Sequence, residues 1–225
     1  MSDATDSKPT TPRPLTAMQR RVLGVLIEKS KTTPGGYPMT VNAIVTGSNQ
    51  KSNRDPITSL DDADVMNTLN DLINRDAVEL IDWTGRTDKY KHLAYEWLSV
   101  DRAELAVLGE LLLRGAQTLG ELRARAARME PIADLDALRP IVERLVQRGL
   151  MLELTPPGRG QIVAHNLYEP EELAEVRERA ASGPAERTAA PSPAANAEIE
   201  ALRAEIEELR QRVFVLEAKL VRHRG

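Results

Sequence analysis

The segment NQKSNRDP, residues 49–56, has the densest hydrogen-bonding chemistry in this chain. Six consecutive side chains, from Asn49 to Arg54, carry amide, ammonium, hydroxyl or guanidinium groups, and Asp55-Pro56 ends the run. Amides beside Lys and Arg can contact base edges or phosphates of a nucleic acid. The same groups can also bind carboxylates of a protein partner, or cap helix ends within a solvated loop. The segment therefore predicts a contact surface, with a helix-capping loop as the alternative.

The residue types that usually perform catalysis are too dispersed here to predict an enzyme. His92, His165 and His223 lie far apart, with none of the spacing typical of metal ligands. The absence of cysteine excludes disulfides, thiolate metal sites and thiol catalysis. PGG at 34–36 has the pattern of a turn and not of a phosphate-binding loop. We therefore expect no catalytic site, no metal and no cofactor.

The chain contains one sequence pattern twice. Three matched pairs define the repeat: VLGVL at 22–26 with VLGEL at 107–111, TVNAIV at 40–45 with TLGELR at 118–123, and VMNTLNDLINRDAVEL at 65–80 with LRPIVERLVQRGLMLE at 138–153. The offset falls from 85 (107 − 22) to 78 (118 − 40) and then to 73 (138 − 65). The first copy is therefore longer at two places, KTTPGGYP and NQKSNRDP, and the polar octet is an insertion into a repeated unit.

Each copy has the pattern of three helices followed by two short strands. In the first copy, Thr16 is the expected N-cap of the first helix, and Ser59 with Asp62 is the expected capping box of the third. A glycine-containing turn, TGRTD, joins the two strands. Three helices and a two-stranded ribbon form the winged-helix arrangement. We predict a mainly α fold with small β-hairpins (α+β), made of two tandem winged-helix domains and a C-terminal coiled-coil helix.

These segments also resemble a known group of proteins. LTAMQRRVLGVLIEKSKTTPGGYPMTVNAIVTGSNQKSNRDP, with GRTDKYKH in the first hairpin and LTPPGRG in the second, is similar to the YceH family of bacterial proteins. The similarity extends over about residues 14–168. It implies two winged-helix domains and a cytoplasmic, bacterial setting. It implies no established activity, because this family is a domain of unknown function.

The C-terminal tail carries a heptad pattern that predicts a homodimer. Its a positions are mostly β-branched and its d positions are Leu, a combination that favours parallel two-stranded coils, although the e and g charges also allow an antiparallel pair. A lone helix that docks on its own body is the alternative. The predicted dimerisation residues are Ile199, Leu202, Ile206, Leu209, Val213, Leu216 and Leu220. The predicted organisation is a disordered arm at 1–13, winged-helix domains at 14–96 and 97–168, a short helix and flexible linker at 169–195, and the coiled-coil helix at 196–223.

Charge leaves two functions open. Residues 13–95 carry 11 basic and 10 acidic groups and residues 96–168 carry 9 and 10, so DNA binding would depend on local patches. A regulatory DNA-binding protein is the leading hypothesis. A protein-interaction scaffold is the alternative, because acids such as Asp61 and Asp134 at the start of each third helix repel phosphates. The predicted contact residues are Asn49, Gln50, Lys51, Asn53, Arg54, Arg86, Lys89, Lys91 and Arg159, and we expect that Lys51 and Arg54 can be replaced without unfolding the protein.

No apolar run approaches the roughly 18 residues that a membrane span requires. The N-terminal residues are polar and interrupted by proline, which is not typical of a signal peptide. We therefore expect a cytoplasmic protein without a membrane partner.

Overall fold

A computed structural model describes residues 14–81 and 87–182 of the chain. Within these ranges the fold is mixed α/β, with eight α-helices and two small antiparallel sheets. The helices are α1 (Ala17–Thr32), α2 (Val41–Ser48), α3 (Asp62–Ile73), α4 (Ala94–Leu98), α5 (Arg102–Arg114), α6 (Leu119–Ala126), α7 (Leu135–Gln147) and α8 (Pro170–Ala181). The strands are β1 (Val78–Ile81), β2 (Lys89–His92), β3 (Gln117–Thr118), β4 (Met151–Glu153) and β5 (Ile162–His165), and a short 3-10 helix, Pro34–Gly36, follows α1.

Side-chain caps fix where the helices begin. Thr16 caps α1 through a reciprocal capping box, as the sequence predicts. At α3 the predicted box of Ser59 and Asp62 is wrong, because Asp61 is the N-cap and exchanges hydrogen bonds with Asp64. The helix therefore starts with its cap two residues later than predicted, and aspartate takes both roles in the box.

The second half of the fold repeats the element order of the first half. Helices α1, α2 and α3 precede the β1–β2 ribbon, and α5, α6 and α7 precede the β4–β5 ribbon. The strand register also repeats: Val78 pairs with His92, and 73 residues later Met151 pairs with His165. In both halves the segment before the second helix adds to the ribbon, by a bridge from Met39 to β2 and by the pairing of β3 with β5. The repeat found in the sequence is therefore a repeat of structure.

The two repeated units share one hydrophobic core. Buried residues from Leu15 to Leu167 form a single continuous cluster. Helices α1 and α5 lie at its centre, since residues 19–28 of α1 and 104–113 of α5 are all buried. A helix that is buried all round packs against neighbours on every side. The predicted boundary at residues 96 and 97 therefore separates repeated units but not two independently packed cores.

Two glycines allow α1 and α5 to cross closely. A Cβ on Gly24 would lie 3.2 Å from Cβ of Leu112, and a Cβ on Gly109 would lie 2.7 Å from Cγ2 of Ile27. At the repeat offset of 85, Gly24 corresponds to Gly109 and Ile27 corresponds to Leu112. The two contacts are therefore the same contact with the units exchanged, as in a two-fold symmetric interface. The chain packs its two copies against each other as a symmetric dimer would.

We expect Gly109→Ala to lower the free energy of unfolding by about 1–3 kcal/mol, because the added methyl group would overlap a branched methyl of Ile27. Urea denaturation monitored by circular dichroism measures this change. Gly120→Ala is the matched control: it also replaces a helical glycine, nothing lies within 4 Å of its Cβ position, and Ala should be favoured there by up to about 1 kcal/mol. Equal stability of the two variants would contradict the close crossing.

Candidate functional site

The octet at 49–56 is built into the body of the protein. Arg54 is 5% exposed, and its guanidinium binds inward. Its Nε donates to the Gly47 carbonyl at the end of α2 (2.9 Å), and its two terminal nitrogens donate to the Glu28 carboxylate at 3.2 and 2.5 Å. One of these nitrogens also donates to Oε1 of Gln50 at 2.8 Å. The guanidinium of Arg54, one of the two cations of the octet, is therefore bound to groups of the protein itself.

The amides of the octet are also used internally. The Asn49 amide donates to the Leu60 carbonyl (2.7 Å) and accepts from the Leu60 N–H (2.8 Å), which ties the start of the octet to the segment before α3. Asn53 adopts a positive φ of 60°, a conformation that Asn tolerates, and its Oδ1 accepts from Arg114 at 2.6 Å. The N–H of Asp55 donates to a carbonyl near the end of α5 at 3.0 Å. The octet is thereby fixed to both repeated units.

Glu28 is the centre of a buried charge network. It is 1% exposed and receives Arg54 from the octet and Arg128 from just beyond α6. Arg128 also binds Glu110 (2.9 Å), and Glu110 binds Arg114 (3.1 Å). Burial by itself would raise the pKa of Glu28, but hydrogen bonds and charge from Arg54 and Arg128 outweigh it, so the pKa lies below its usual value. Glu28 is therefore an anion that holds α1, the octet and the second unit together.

This geometry changes the predicted contact surface. Arg54 is buried, so it is not an exposed member of that surface. The expectation that Arg54 can be replaced without unfolding the protein is corrected, because the replacement would remove a buried arginine that pairs with the buried Glu28 carboxylate. Asn49, Gln50 and Asn53 are half-buried. Among the five octet residues predicted to form the surface, Lys51 is the exposed one.

The predicted ribbon residues lie in different surroundings. Lys91 on β2 pairs with Glu79 on β1 at 2.8 Å, and both side chains are partly exposed. Lys89 is half-buried on the same strand, and Arg159 is exposed in the turn between β4 and β5. Arg86 and the seven heptad residues from Ile199 to Leu220 lie outside the described residues. The ribbons thus keep some cations, partly neutralised in the first unit.

The structure also forms a cleft that the sequence did not indicate. It has a volume of about 590 Å³ and lies where residues of the first unit meet Arg102 and Met129 of the second. Tyr37, His92 and Tyr95 contribute three rings, with His92 5.9 Å from Tyr37 and 5.7 Å from Tyr95 between centroids. A sequence signal for part of this wall exists: His-x-x-Tyr occurs in both copies, as HLAY at 92–95 and HNLY at 165–168.

Both repeat-related histidines are neutral structural residues. Nδ1 of His92 accepts from the Ala94 N–H (3.3 Å), which assigns the proton to Nε2, and Nε2 then donates to Oγ of Ser30 (3.0 Å). Nδ1 of His165 accepts from the Leu167 N–H (3.2 Å) in the same way. Burial lowers the pKa of His92 to about 4 and lowers the pKa of His165 well below its usual value. Neither ring titrates near neutral pH, where acid–base catalysis by histidine usually operates.

Among residues 14–81 and 87–182, no three side chains of the metal-ligating types are grouped so that they could hold an ion. None of the helices in these ranges is long and apolar enough to cross a membrane.

Comparison with known proteins identifies the family. A family model described as a protein of unknown function, DUF480, matches residues 15–159. The chain belongs to this family. The matched range includes the octet and every member of the Glu28 network. The family's region therefore contains the clamp between the two units, by which we mean the ion pairs of Arg54 and Arg128 with Glu28. The heptad tail lies beyond the match.

Similar proteins occur in several bacteria. A UPF0502 protein of Rhodopirellula baltica is 49% identical over 170 residues, which covers 76% of this chain and 72% of that protein. UPF0502 proteins of Geotalea daltonii and Geobacter sulfurreducens are 45% and 46% identical, each over 72% of this chain and 76% and 77% of their own lengths. These relatives place the chain among bacterial proteins whose family carries no assigned activity.

We expect Arg54→Ala to lower the free energy of unfolding by about 3 kcal/mol, because it removes one of the buried cations that compensate Glu28. Lys51→Ala, three positions away on the exposed part of the octet, should change it by less than about 0.5 kcal/mol. Urea denaturation of the two variants measures the difference. If the two variants were equally stable, the buried role of Arg54 would be refuted.

We also expect the protein to lose stability as the pH falls from about 6.5 towards 4. Because the folded-state pKa of His92 lies below its usual value, the unfolded chain binds this proton first, and His92 contributes roughly 3 kcal/mol of destabilisation by pH 4. Lys31 and Glu96 are the charges that act on the ring, and Lys31 has the larger effect. Urea denaturation at a series of pH values should show a smaller acid-dependent loss for His92→Gln than for the parent, and an equal loss would contradict the burial of a neutral His92 ring.

Proposed function

We propose that this chain is a cytoplasmic, non-enzymatic interaction protein in which two tandem winged-helix units hold a protein partner. The order of three helices and a ribbon, repeated with the same register, supports the winged-helix assignment that the YceH resemblance implies. The observation that carries the choice of partner is the exposed face formed by α3 and β1, which is both acidic and apolar.

The acidic part of this face argues against a polyphosphate ligand. Asp61 and Asp62 are exposed and Asp64 is half-buried at the start of α3, the helix that would read a DNA groove in a winged-helix protein. In the second unit, α7 likewise begins beside exposed Asp134 and Asp136. These carboxylates complement the macrodipole at each helix start, but they repel a phosphate backbone. They suit Lys or Arg side chains on another protein.

The apolar part of the face suits a packed protein contact. Met66 on α3 is 40% exposed and Leu80 on β1 is 44% exposed. Both adjoin Tyr90, since the Tyr90 hydroxyl lies 3.6 Å from the Met66 sulfur and Tyr90 pairs with Leu80 across the ribbon. Exposed Met is common on surfaces that accept apolar side chains of partners. The occupant with matching chemistry is a basic, amphipathic segment of a protein.

The heptad tail would make this binding bivalent. Ile199 and Leu202 begin a repeat whose pattern predicts a two-stranded coiled coil, and we propose that it joins two chains into a homodimer. Two linked binding faces raise the apparent affinity for a partner that is itself repeated or dimeric.

DNA binding is the second candidate, and the cations that remain on both ribbons favour it. Lys89 and Lys91 lie on β2, Arg159 is exposed in the second ribbon's turn, and Lys51 is exposed on the octet. The three ribbon positions correspond to the wings through which winged-helix proteins contact DNA backbones, whereas Lys51 would add a contact from the octet. Their number is small, and Lys91 already pairs with Glu79, so this set supports weaker phosphate binding than the sequence suggests.

The test is photo-crosslinking in cells, with a photoreactive residue replacing Met66. We expect a discrete protein adduct that resists nuclease. Asp62→Lys should reduce its yield at least about tenfold, because reversing a charge opposite a basic partner is costly. Glu171→Lys, an exposed reversal on α8, is the matched control and should leave the yield unchanged.

Three outcomes would reject the protein-binding proposal: no adduct, an adduct that Asp62→Lys does not reduce, or an adduct that nuclease removes. The last outcome would favour DNA binding, which predicts two further results. The protein's retention of duplex DNA should fall steeply with salt, and both Lys51→Ala and Arg159→Ala should weaken that retention without unfolding the protein.

A further inference from the structure

We propose that the cleft between the two repeated units binds a small organic anion: a planar aromatic body that carries a carboxylate or phosphate. The cleft volume of about 590 Å³ lies within the range of small-molecule sites, about 300–1,000 Å³. Its walls combine aromatic rings with cationic side chains. No residue of α3 or β1 lines the cleft, so it is separate from the face to which we assign a protein partner.

The rings form the part of the cleft that would hold the aromatic body. Tyr37 is fixed because its hydroxyl accepts the His92 backbone N–H at 2.7 Å. The His92 ring is fixed by Ser30 and by the Ala94 backbone N–H, and the centroid of the Tyr95 ring lies 5.7 Å from it. Rings that are already held lose little freedom when a ligand stacks against them. Two fixed rings and the ring of Tyr95 around one space favour a flat ligand over a branched aliphatic one.

The charges around the cleft balance in number, so the anion preference depends on which cation is accessible. The lining contains Lys31, Lys91 and Arg102, against one lining carboxylate, Glu96. Two more carboxylates act from outside the lining: Glu79 pairs with Lys91, and Glu130 contacts Lys31 at 3.4 Å and Nε of Arg102 at 3.5 Å.

Arg102 is the group that would take the anion. Its side chain is 79% exposed and its long contact with Glu130 uses Nε, so the guanidinium can still offer paired donors to a carboxylate or phosphate. Lys31 is different: its side chain is 6% exposed, and its ammonium also donates to the Arg102 carbonyl (3.1 Å) and lies 5.7 Å from the Tyr95 ring centroid. Lys31 thus supplies fixed positive charge at the wall, and Arg102 supplies the adaptable contact.

The position of the cleft makes its ligand a bridge between the units. Lys31 and Tyr37 come from α1 and the segment that follows it, whereas Arg102 begins α5 and Met129 follows α6. A ligand that contacts both groups adds a link between them, and any ligand that binds only the folded protein raises its melting temperature.

The test is isothermal titration of the full chain with four probes. Phenyl phosphate and benzoate carry a ring and an anion, benzyl alcohol carries the ring alone, and inorganic phosphate carries the charge alone. We expect at least one aromatic anion to bind with a Kd below about 1 mM and at least about tenfold more tightly than either single-feature probe. Which of the two binds better distinguishes a phosphate ligand from a carboxylate ligand.

Variants connect the binding to the cleft. Arg102→Ala should weaken the better probe at least about tenfold, and it should leave folding intact because the side chain is exposed. Arg159→Ala, an exposed arginine in the second ribbon's turn, is the matched control and should bind as the parent does. The proposal is overturned if both aromatic anions bind more weakly than about 1 mM, if inorganic phosphate or benzyl alcohol binds within about tenfold of the better one, or if Arg102→Ala weakens binding less than about tenfold.

Discussion

The described part of this protein depends on one buried carboxylate. Glu28 is buried on α1, where an uncompensated anion would be strongly destabilising. Its two arginine partners come from different places: Arg54 from the octet insertion and Arg128 from the second repeated unit. Satisfying Glu28 therefore requires that the octet close onto α1 and that the second unit pack against the first. This explains why so polar a segment interrupts an apolar unit: most of its hydrogen-bonding groups serve the protein's own interior.

The glycine crossing of α1 and α5 gives the same body its second constraint. Gly24 and Gly109 make reciprocal contacts, so the two copies pack as the halves of a symmetric dimer would, within one chain. The insertions then break that symmetry. KTTPGGYP, residues 31–38, supplies Tyr37 to the cleft wall, and NQKSNRDP supplies the clamp on Glu28. One extra segment of the first copy thus builds a potential ligand site, and the other holds the two units together.

Two surfaces of the protein differ in chemistry and so suit different ligands. The face of α3 and β1 combines aspartates with exposed Met66 and Leu80, chemistry that suits a basic protein segment. The cleft combines fixed rings with Arg102 and Lys31, chemistry that suits a flat anion. A ligand in the cleft would touch both units and therefore bias how firmly they pack, which is the physical requirement for coupling one site to another. The proposed partner surface and the proposed small-molecule site therefore lie on separate parts of the fold.

The sequence by itself determined what depends on neighbours along the chain. Apolar spacing predicted the repeated helices and ribbons, and Thr16 predicted the start of α1. Only the tertiary structure decided burial. Arg54 meets Glu28, 26 positions earlier, and Arg128 reaches it across 100, so nothing in the octet distinguishes a buried clamp from a solvated loop. For the same reason two predicted domains became one core: local patterns encode periodicity and caps, whereas packing is set by residues that meet only after the chain has folded.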